Sequence, residues 1–381
     1  VIAAIILARL LVPLLIPRLP LPGIVAAMLL DGVDRFVYEG AGAAHLDGYQ
    51  VFDKALDIYY LTIAYASTIR NWDSGPAFQI GRVLWYYRLV GVMLFEYTDA
   101  RWMLLVFPNT FEYYFLVIEA AKVTRNPFSW SANRLLAFAS GLWMFVKLPQ
   151  EWWLHVAELD VTDFLKEHVF QVPPDSPWIP ALGNRPLGTI ALGTGALGLA
   201  LFVRSASRRL PAGDWAATWW ADDQAVNMGW PEPPARIRPT AFFGWAFVEK
   251  VVLVTLVTLI FERILPGPNR TLLTVVVATS AIIALSSLFS HWLARRGVTW
   301  GSAAVELLVM GIANTGIAMS TAFVLSRSRE HPPLFTFLFL VGLLTLIIVL
   351  FDRFTYVDRA REWPRITPDS LTRSSHSPVP L

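Results

Sequence analysis

The chain has 381 residues, of which 55% are hydrophobic and only 16% charged, and its mean hydropathy is +0.50. A soluble domain carries charge on roughly a quarter of its residues, so lipid is the expected solvent for most of this one. With 31 basic and 29 acidic residues the net charge is +2, which argues against bulk binding of nucleic acid, and the absence of cysteine excludes disulfides, thiolate metal sites and cysteine nucleophiles.

Sixteen Trp, 11 Tyr and 24 Phe exceed what a core needs and suit an aromatic belt at the headgroup level. The sequence begins at Val1 inside an apolar run with no evident signal peptide, as expected of a truncated or processed chain. A spanning helix needs about 20 apolar residues, and that ruler gives about eleven candidates. The first two are Val1–Pro17 and Gly23–Tyr38, the second short, carrying Asp31 and Asp34, and either re-entrant or spanning. Four charged spans follow at Tyr49–Arg70, Ile80–Tyr97, Trp102–Val123 and Ser131–Lys147. Glu151–Phe170 intersperses Trp152, Trp153, Val156, Phe164 and Leu165 with charges and reads as an interfacial helix. Five cleaner spans close the series at Pro186–Val203, Ala241–Phe261, Thr271–Leu293, Ser302–Leu325 and Leu334–Phe351.

The expected fold class is therefore all-α: a polytopic transmembrane helical bundle of about 10 to 11 spans plus an interfacial helix. Its regions are a charged N-terminal bundle at 1–147, an extracytoplasmic loop with the interfacial helix at 148–185, a hydrophobic C-terminal bundle at 186–353 with a cytoplasmic loop at 204–240, and a partly disordered cytoplasmic tail at 354–381. The loop holds Asp222 and Asp223 before the Pro-rich stretch Pro231–Pro239. Basic residues flag cytoplasmic loops. Arg204, Arg208 and Arg209 share a side with Arg295 and Arg296, with the loop bearing Lys122, Arg125 and Arg134, and with Arg353, Arg359, Arg361 and Arg365. The C-terminus is thus expected inside and the N-terminus outside a cell membrane, most simply a bacterial cytoplasmic membrane, an arrangement that also places Arg327 and Arg329 outside.

Ionisable residues within apolar stretches concentrate in the first 150 residues. At about 1.5 Å rise per residue, Arg88 lies about 12 Å into its span from the inside and Glu112 about 15 Å into its span from the outside. In a core about 30 Å thick the two depths nearly coincide, so the sequence predicts a direct Arg88–Glu112 pair. Pro108 should interrupt the Trp102–Val123 helix and free a backbone carbonyl that a ligand, water or side chain must satisfy. Asn109, Glu112 and Glu119, at spacings of three and seven, should form one polar stripe. Glu119 and Lys122 make an i, i+3 pair, while Glu96 and Lys147 either join the outer acids or snorkel.

Asp53 and Asp57 stand four apart on one helical face, a spacing that suits a divalent cation, with Asp31, Asp34 and Asp47 nearby. Asp31, Gly32, Arg35, Gly48, Asp53 and Asp57 resemble fragments of the membrane active-site motif of the CDP-alcohol phosphatidyltransferases. The match departs at Met28, where that motif has its first Asp, in a displaced Ala-Arg pair, and at Gly48, one residue too far from Asp53. The expected topology also puts these acids outside, whereas those enzymes work from the cytoplasmic side. Glu151, His155 and Glu158, followed by Asp160, Asp163 and His168, have spacings that suit zinc or manganese but also arise on any charged interfacial helix. Further along, Glu249, Lys250, His291, Glu306 and Asn314 sit within or near the later spans. Gly311, Thr315 and Gly316 offer small surfaces for close helix packing. No Walker loop, dinucleotide fingerprint, nucleophile elbow, haem attachment site or clear internal repeat occurs, and no cofactor is implied.

Three functions compete on these grounds. The first is a transporter or channel in which Arg88, Asn109, Glu112 and Glu119 line a polar cavity, with Glu96, Asp53 and Asp57 at an outer vestibule. The second is a membrane enzyme acting on a lipid or lipid-linked substrate through the outer carboxylates. The third is a non-catalytic assembly scaffold. The expected partners are the lipid bilayer and a small solute or lipid substrate.

Overall fold

The computed structural model describes residues 2–40, 47–72, 75–122, 126–155, 161–174, 176–209, 244–265, 270–296, 303–325 and 333–366. The described residues are all-α, without a strand. Apolar side chains too numerous to leave in water, and few interior helix breakers, account for that outcome. Contacts group the chain into two compact units: Val1–Leu15, Pro20–Tyr60 and Val83–Ala217 form one, and Ile16–Leu19, Leu61–Arg82 and Thr218–Leu381 the other.

Unit 1 opens with α1 (Ile2–Leu11), continued by a 3-10 turn at Val12–Leu15. Next comes α2 (Pro20–Gly40), an unbroken helix over the stretch expected to be re-entrant or spanning. The long helices α3 (Asp47–Asn71) and α4 (Pro76–Thr98), whose stretches 61–71 and 76–82 belong to unit 2, lie close to the expected spans. Proline suits the first position of α4 because the missing N–H has no intrahelical partner there. The next span is split into α5 (Trp102–Val106) and α6 (Thr110–Ala121). Pro108 lies in the gap, the interruption its ring and missing donor predict.

α7 (Ala132–Leu142) begins at Ser131, whose hydroxyl accepts from the Arg134 amide. It runs through a π turn at Trp143–Lys147 directly into α8 (Leu148–His155). Helix thus continues across Lys147, where the span was expected to end. The unit also contains α9 (Val161–Phe164) with a π turn at Leu165–Phe170, α10 (Trp178–Asn184) and α11 (Pro186–Arg209).

In unit 2 the helices α12 (Trp245–Ile264), α13 (Leu272–Arg295), α14 (Ala303–Leu325) and α15 (Leu334–Ile366) pack in a closed ring, each on the next and α15 on α12. Among the described residues, three helices are long and apolar enough to cross a membrane: Leu272–Leu293, Ala304–Thr321 and Thr336–Thr355. Many large apolar side chains face outward, including Leu273 and Ile312, as a lipid-facing surface requires.

Candidate functional site

The two helix ends at Pro108 are served by different neighbours. On the α5 side, the last carbonyls have no intrahelical donors, and α4 supplies them. The Tyr87 hydroxyl donates to the Val106 carbonyl at 2.5 Å, and Arg88 Nη1 donates to the Phe107 carbonyl at 3.1 Å. A cation at a helix C-terminus also complements the backbone dipole. Gly91 lies on the same face of α4, one turn after Tyr87, and leaves room for the Phe107 ring, which packs on Tyr87 with centroids 4.6 Å apart. The carbonyl acceptor expected at the break is thus present, and a side chain serves it.

On the α6 side, Glu112 occupies the first turn, where amide N–H groups favour a negative charge. Its carboxylate accepts from the Tyr60 hydroxyl at 2.7 Å and from Asn109 Nδ2 at 2.8 Å, and Lys147 Nζ lies 4.0 Å away. Lys147 itself donates to Gln150 at 3.1 Å and sits over the Tyr113 ring at 4.1 Å. The expected Arg88–Glu112 pair is not formed. Arg88 turns to a backbone carbonyl, and the cation beside Glu112 is Lys147.

The π turn explains how Lys147 arrives there. Leu135 and Ala139 are buried on α7, and Lys147 and Glu151 are the next buried pair at the same spacing, while Met144, Phe145 and Val146 face outward. Two α-helical turns would bring about seven residues round; the wider turn at Trp143–Lys147 adds one and rotates Lys147 inward. Glu151 follows one turn later and accepts the Asn109 backbone N–H at 3.5 Å.

Around this centre, Arg9 of α1 bonds both Asp31 and Asp57, the latter at 2.8 Å. Glu96 pairs with Lys54 at 3.4 Å. Glu119 and Lys122, both buried, form their i, i+3 pair at 2.8 Å. The structure thus gathers Asn109 and Glu112, engages Arg88 at the same break, and gives Glu119, Glu96 and Asp57 separate cationic partners.

No family model, curated protein or solved structure matches the chain. Arg9, Tyr60 and Gly91 belong to it and are not evident from the sequence pattern alone. The one signal for Tyr60 is its place three residues after Asp57, on the same helical face.

Three polar atoms at the break have no hydrogen-bond partner although they are buried: Arg88 Nε, Asn109 Oδ1 and Thr110 Oγ1. One is a cationic donor, one an acceptor, and one can be either. Leaving such groups unsatisfied costs free energy, so a native site normally supplies a partner.

Among the described residues no group of three or more His, Asp or Glu is gathered as metal ligands would be. The side chains of Asp34, Arg35, Asp47, Asp53 and His155 lie outside the described residues, as do Glu158, Asp160, the segment 210–243 with Asp222 and Asp223, Arg327, Arg329 and the tail from 367. His168 is turned to its own helix, stacking on Phe164.

Proposed function

We propose that this is a multi-pass membrane carrier or channel-like protein that binds a small polar solute at the helix break around Pro108. The observation that carries this reading is the trio of buried, unpartnered atoms on Arg88, Asn109 and Thr110. A bound solute offering an acceptor to Arg88 and a donor to Asn109 would satisfy both. Interrupted membrane helices are suited to such sites because their free backbone ends are tolerated only where protein, water or ligand answers them. Glu112, Lys147 and Tyr60 would hold the break in shape, and Glu119 would brace the inner end of α6.

In this reading the long helices of unit 1, α11 among them, and α12 of unit 2 join the three apolar helices as spans, giving about 10 to 11 crossings. The C-terminus lies in the cytoplasm, following the basic loops. A bacterial cytoplasmic membrane is the proposed location. The carrier reading is preferred to the lipid-enzyme reading because Arg9 already engages Asp31 and Asp57.

The test is a thermal-shift screen of the full chain in lipid nanodiscs against amino acids, small organic acids and sugars. At least one class should raise the melting temperature of the wild type and fail to do so for Arg88→Met and Asn109→Leu. A shift retained in both variants, or none with any class, counts against the proposal.

A further inference from the structure

Asn109 stands at the cap position of α6, where an asparagine side-chain oxygen ordinarily accepts an amide N–H of the first turn. It makes no such bond. Its amide is turned so that Nδ2 donates to Glu112 Oε2 at 2.8 Å, while the buried Oδ1 has no hydrogen-bond partner. The chemistry of Glu112 dictates that orientation. An ionised carboxylate only accepts, so the NH2 side of the amide must face it and the oxygen must face away.

The other oxygen of Glu112 is engaged as well, since Oε1 accepts from the Tyr60 hydroxyl at 2.7 Å. A proton taken up by Glu112 therefore settles on Oε2, the oxygen that Asn109 touches. Two donors then meet, and a half-turn of the Asn109 amide removes the conflict. Oδ1 accepts from the carboxylic O–H, and Nδ2 takes the place that Oδ1 held. The side of Asn109 turned away from Glu112 changes from an acceptor to a donor.

The charged and titratable groups around Glu112 are Asp31 of α2, Tyr60 of α3, Arg88 of α4, Tyr113 beside it on α6 and Lys147 of the π turn. Glu151 of α8 bonds the Asn109 backbone N–H, and Arg9 engages Asp31. Arg88 and Lys147 thus stand against Glu112 and Glu151, a balance that suits a solute with charged ends and no net charge. The Arg88 guanidinium calls for an acceptor, and a carboxylate is its matched one. Asn109 Oδ1 calls for a donor.

We propose that the solute is an amino acid whose ammonium is held by Asn109 Oδ1, and that a proton on Glu112 displaces it by turning that amide. This rests on the solute-site reading at Pro108 and adds to it the class of solute and the ion exchanged for it. Glu112 is a positioning residue, acting through Asn109. Because solute and proton each weaken the binding of the other, they are exchanged and not carried together.

The experiment follows ligand-dependent melting of the full chain in lipid nanodiscs. The probes are alanine, leucine and phenylalanine, each paired with the carboxylate that lacks its amine: propionate, 4-methylpentanoate and 3-phenylpropionate. At about pH 7, where both ends of an amino acid are largely charged, wild type should bind at least one amino acid more tightly than its amine-free partner. Glu112→Gln imitates the protonated acid, since its amide can accept from Tyr60 and donate to Asn109 Oδ1. It should bind that amino acid about tenfold more weakly, the order expected for one lost hydrogen bond. The amine-free partner should bind as tightly as before or more so, whereas mere damage to the site would weaken both. Lys147→Met combined with Glu112→Gln removes the charged pair together and should show the same change, which keeps the test decisive if the single variant folds poorly. Wild-type affinity for the amino acid should also fall on acidification to about pH 5. An unchanged amino-acid preference in both variants, or a flat wild-type pH profile, overturns the proposal. Stabilisation by sugars or other organic acids but by no amino acid overturns it too and leaves the solute-site reading standing; no stabilisation by any class removes both.

Discussion

Phe107 fills the space that a side chain on Gly91 would need: a Cβ there would stand 2.0 Å from the Phe107 Cβ and 2.6 Å from its Cγ. That close approach brings the carbonyls of Val106 and Phe107 within reach of Tyr87 and Arg88. Gly91→Ala should therefore destabilise the protein by about 1–3 kcal/mol through overpacking. Gly141→Ala is the control, since nothing lies within 4 Å of a Cβ there. A helical glycine in open space gains about 0.5–1 kcal/mol on becoming alanine. Melting curves in nanodiscs should separate the two variants, and coincident curves would contradict the packing argument.

Lys147 is the one cation within 4.0 Å of Glu112 among the described residues. Lys147→Met strands a buried carboxylate, a change expected to cost about 3–5 kcal/mol. Adding Glu112→Gln to that background should recover most of the loss, because an amide needs no counter-ion. A double-mutant cycle measures the coupling. Strictly additive effects would show that Lys147 and Glu112 do not stabilise each other.

Tyr59 and Tyr60 are adjacent but donate to different acceptors: Tyr59 to the neutral Leu10 carbonyl at 2.8 Å, and Tyr60 to the Glu112 carboxylate at 2.7 Å. Bonds to charged groups contribute about 1.5–3 kcal/mol against about 0.5–1.5 for neutral ones. Tyr60→Phe should thus be the more damaging substitution in chemical denaturation. The reverse ranking would mean that Glu112 draws its stabilisation from elsewhere.

Arg9 bridges Asp31 and Asp57, so added Mg²⁺ or Mn²⁺ should leave the wild-type melting temperature unchanged. A metal-dependent rise that disappears in Asp57→Asn would contradict this and would restore the membrane-enzyme reading to first place.

Much of the helical frame was legible because apolar length alone locates it. The expected span Tyr49–Arg70 lies inside α3 (Asp47–Asn71), and Pro108 breaks its helix as its covalent structure demands. The local pair Glu119–Lys122 was legible for the same reason, since i, i+3 neighbours on a helix have little choice.

The partners across helices were harder to read. Equal depth suggested that Arg88 meets Glu112, but that arithmetic treats the Trp102–Val123 segment as one straight helix. The break puts a free carbonyl at Phe107, and Arg88 bonds that instead. The place of Lys147 beside Glu112 was not legible, because a π turn adds a residue that 3.6-residue periodicity does not anticipate. Arg9 reaches acids 22 and 48 residues away, a long-range relation that no local pattern contains.

The most direct test of the solute-site claim is a cryo-EM map of the full chain in lipid nanodiscs, inspected at the Pro108 break. Ordered non-protein density is expected within hydrogen-bond distance of Arg88 Nε, Asn109 Oδ1 and Thr110 Oγ1. A dry break in which those three atoms bond only to protein groups would contradict it.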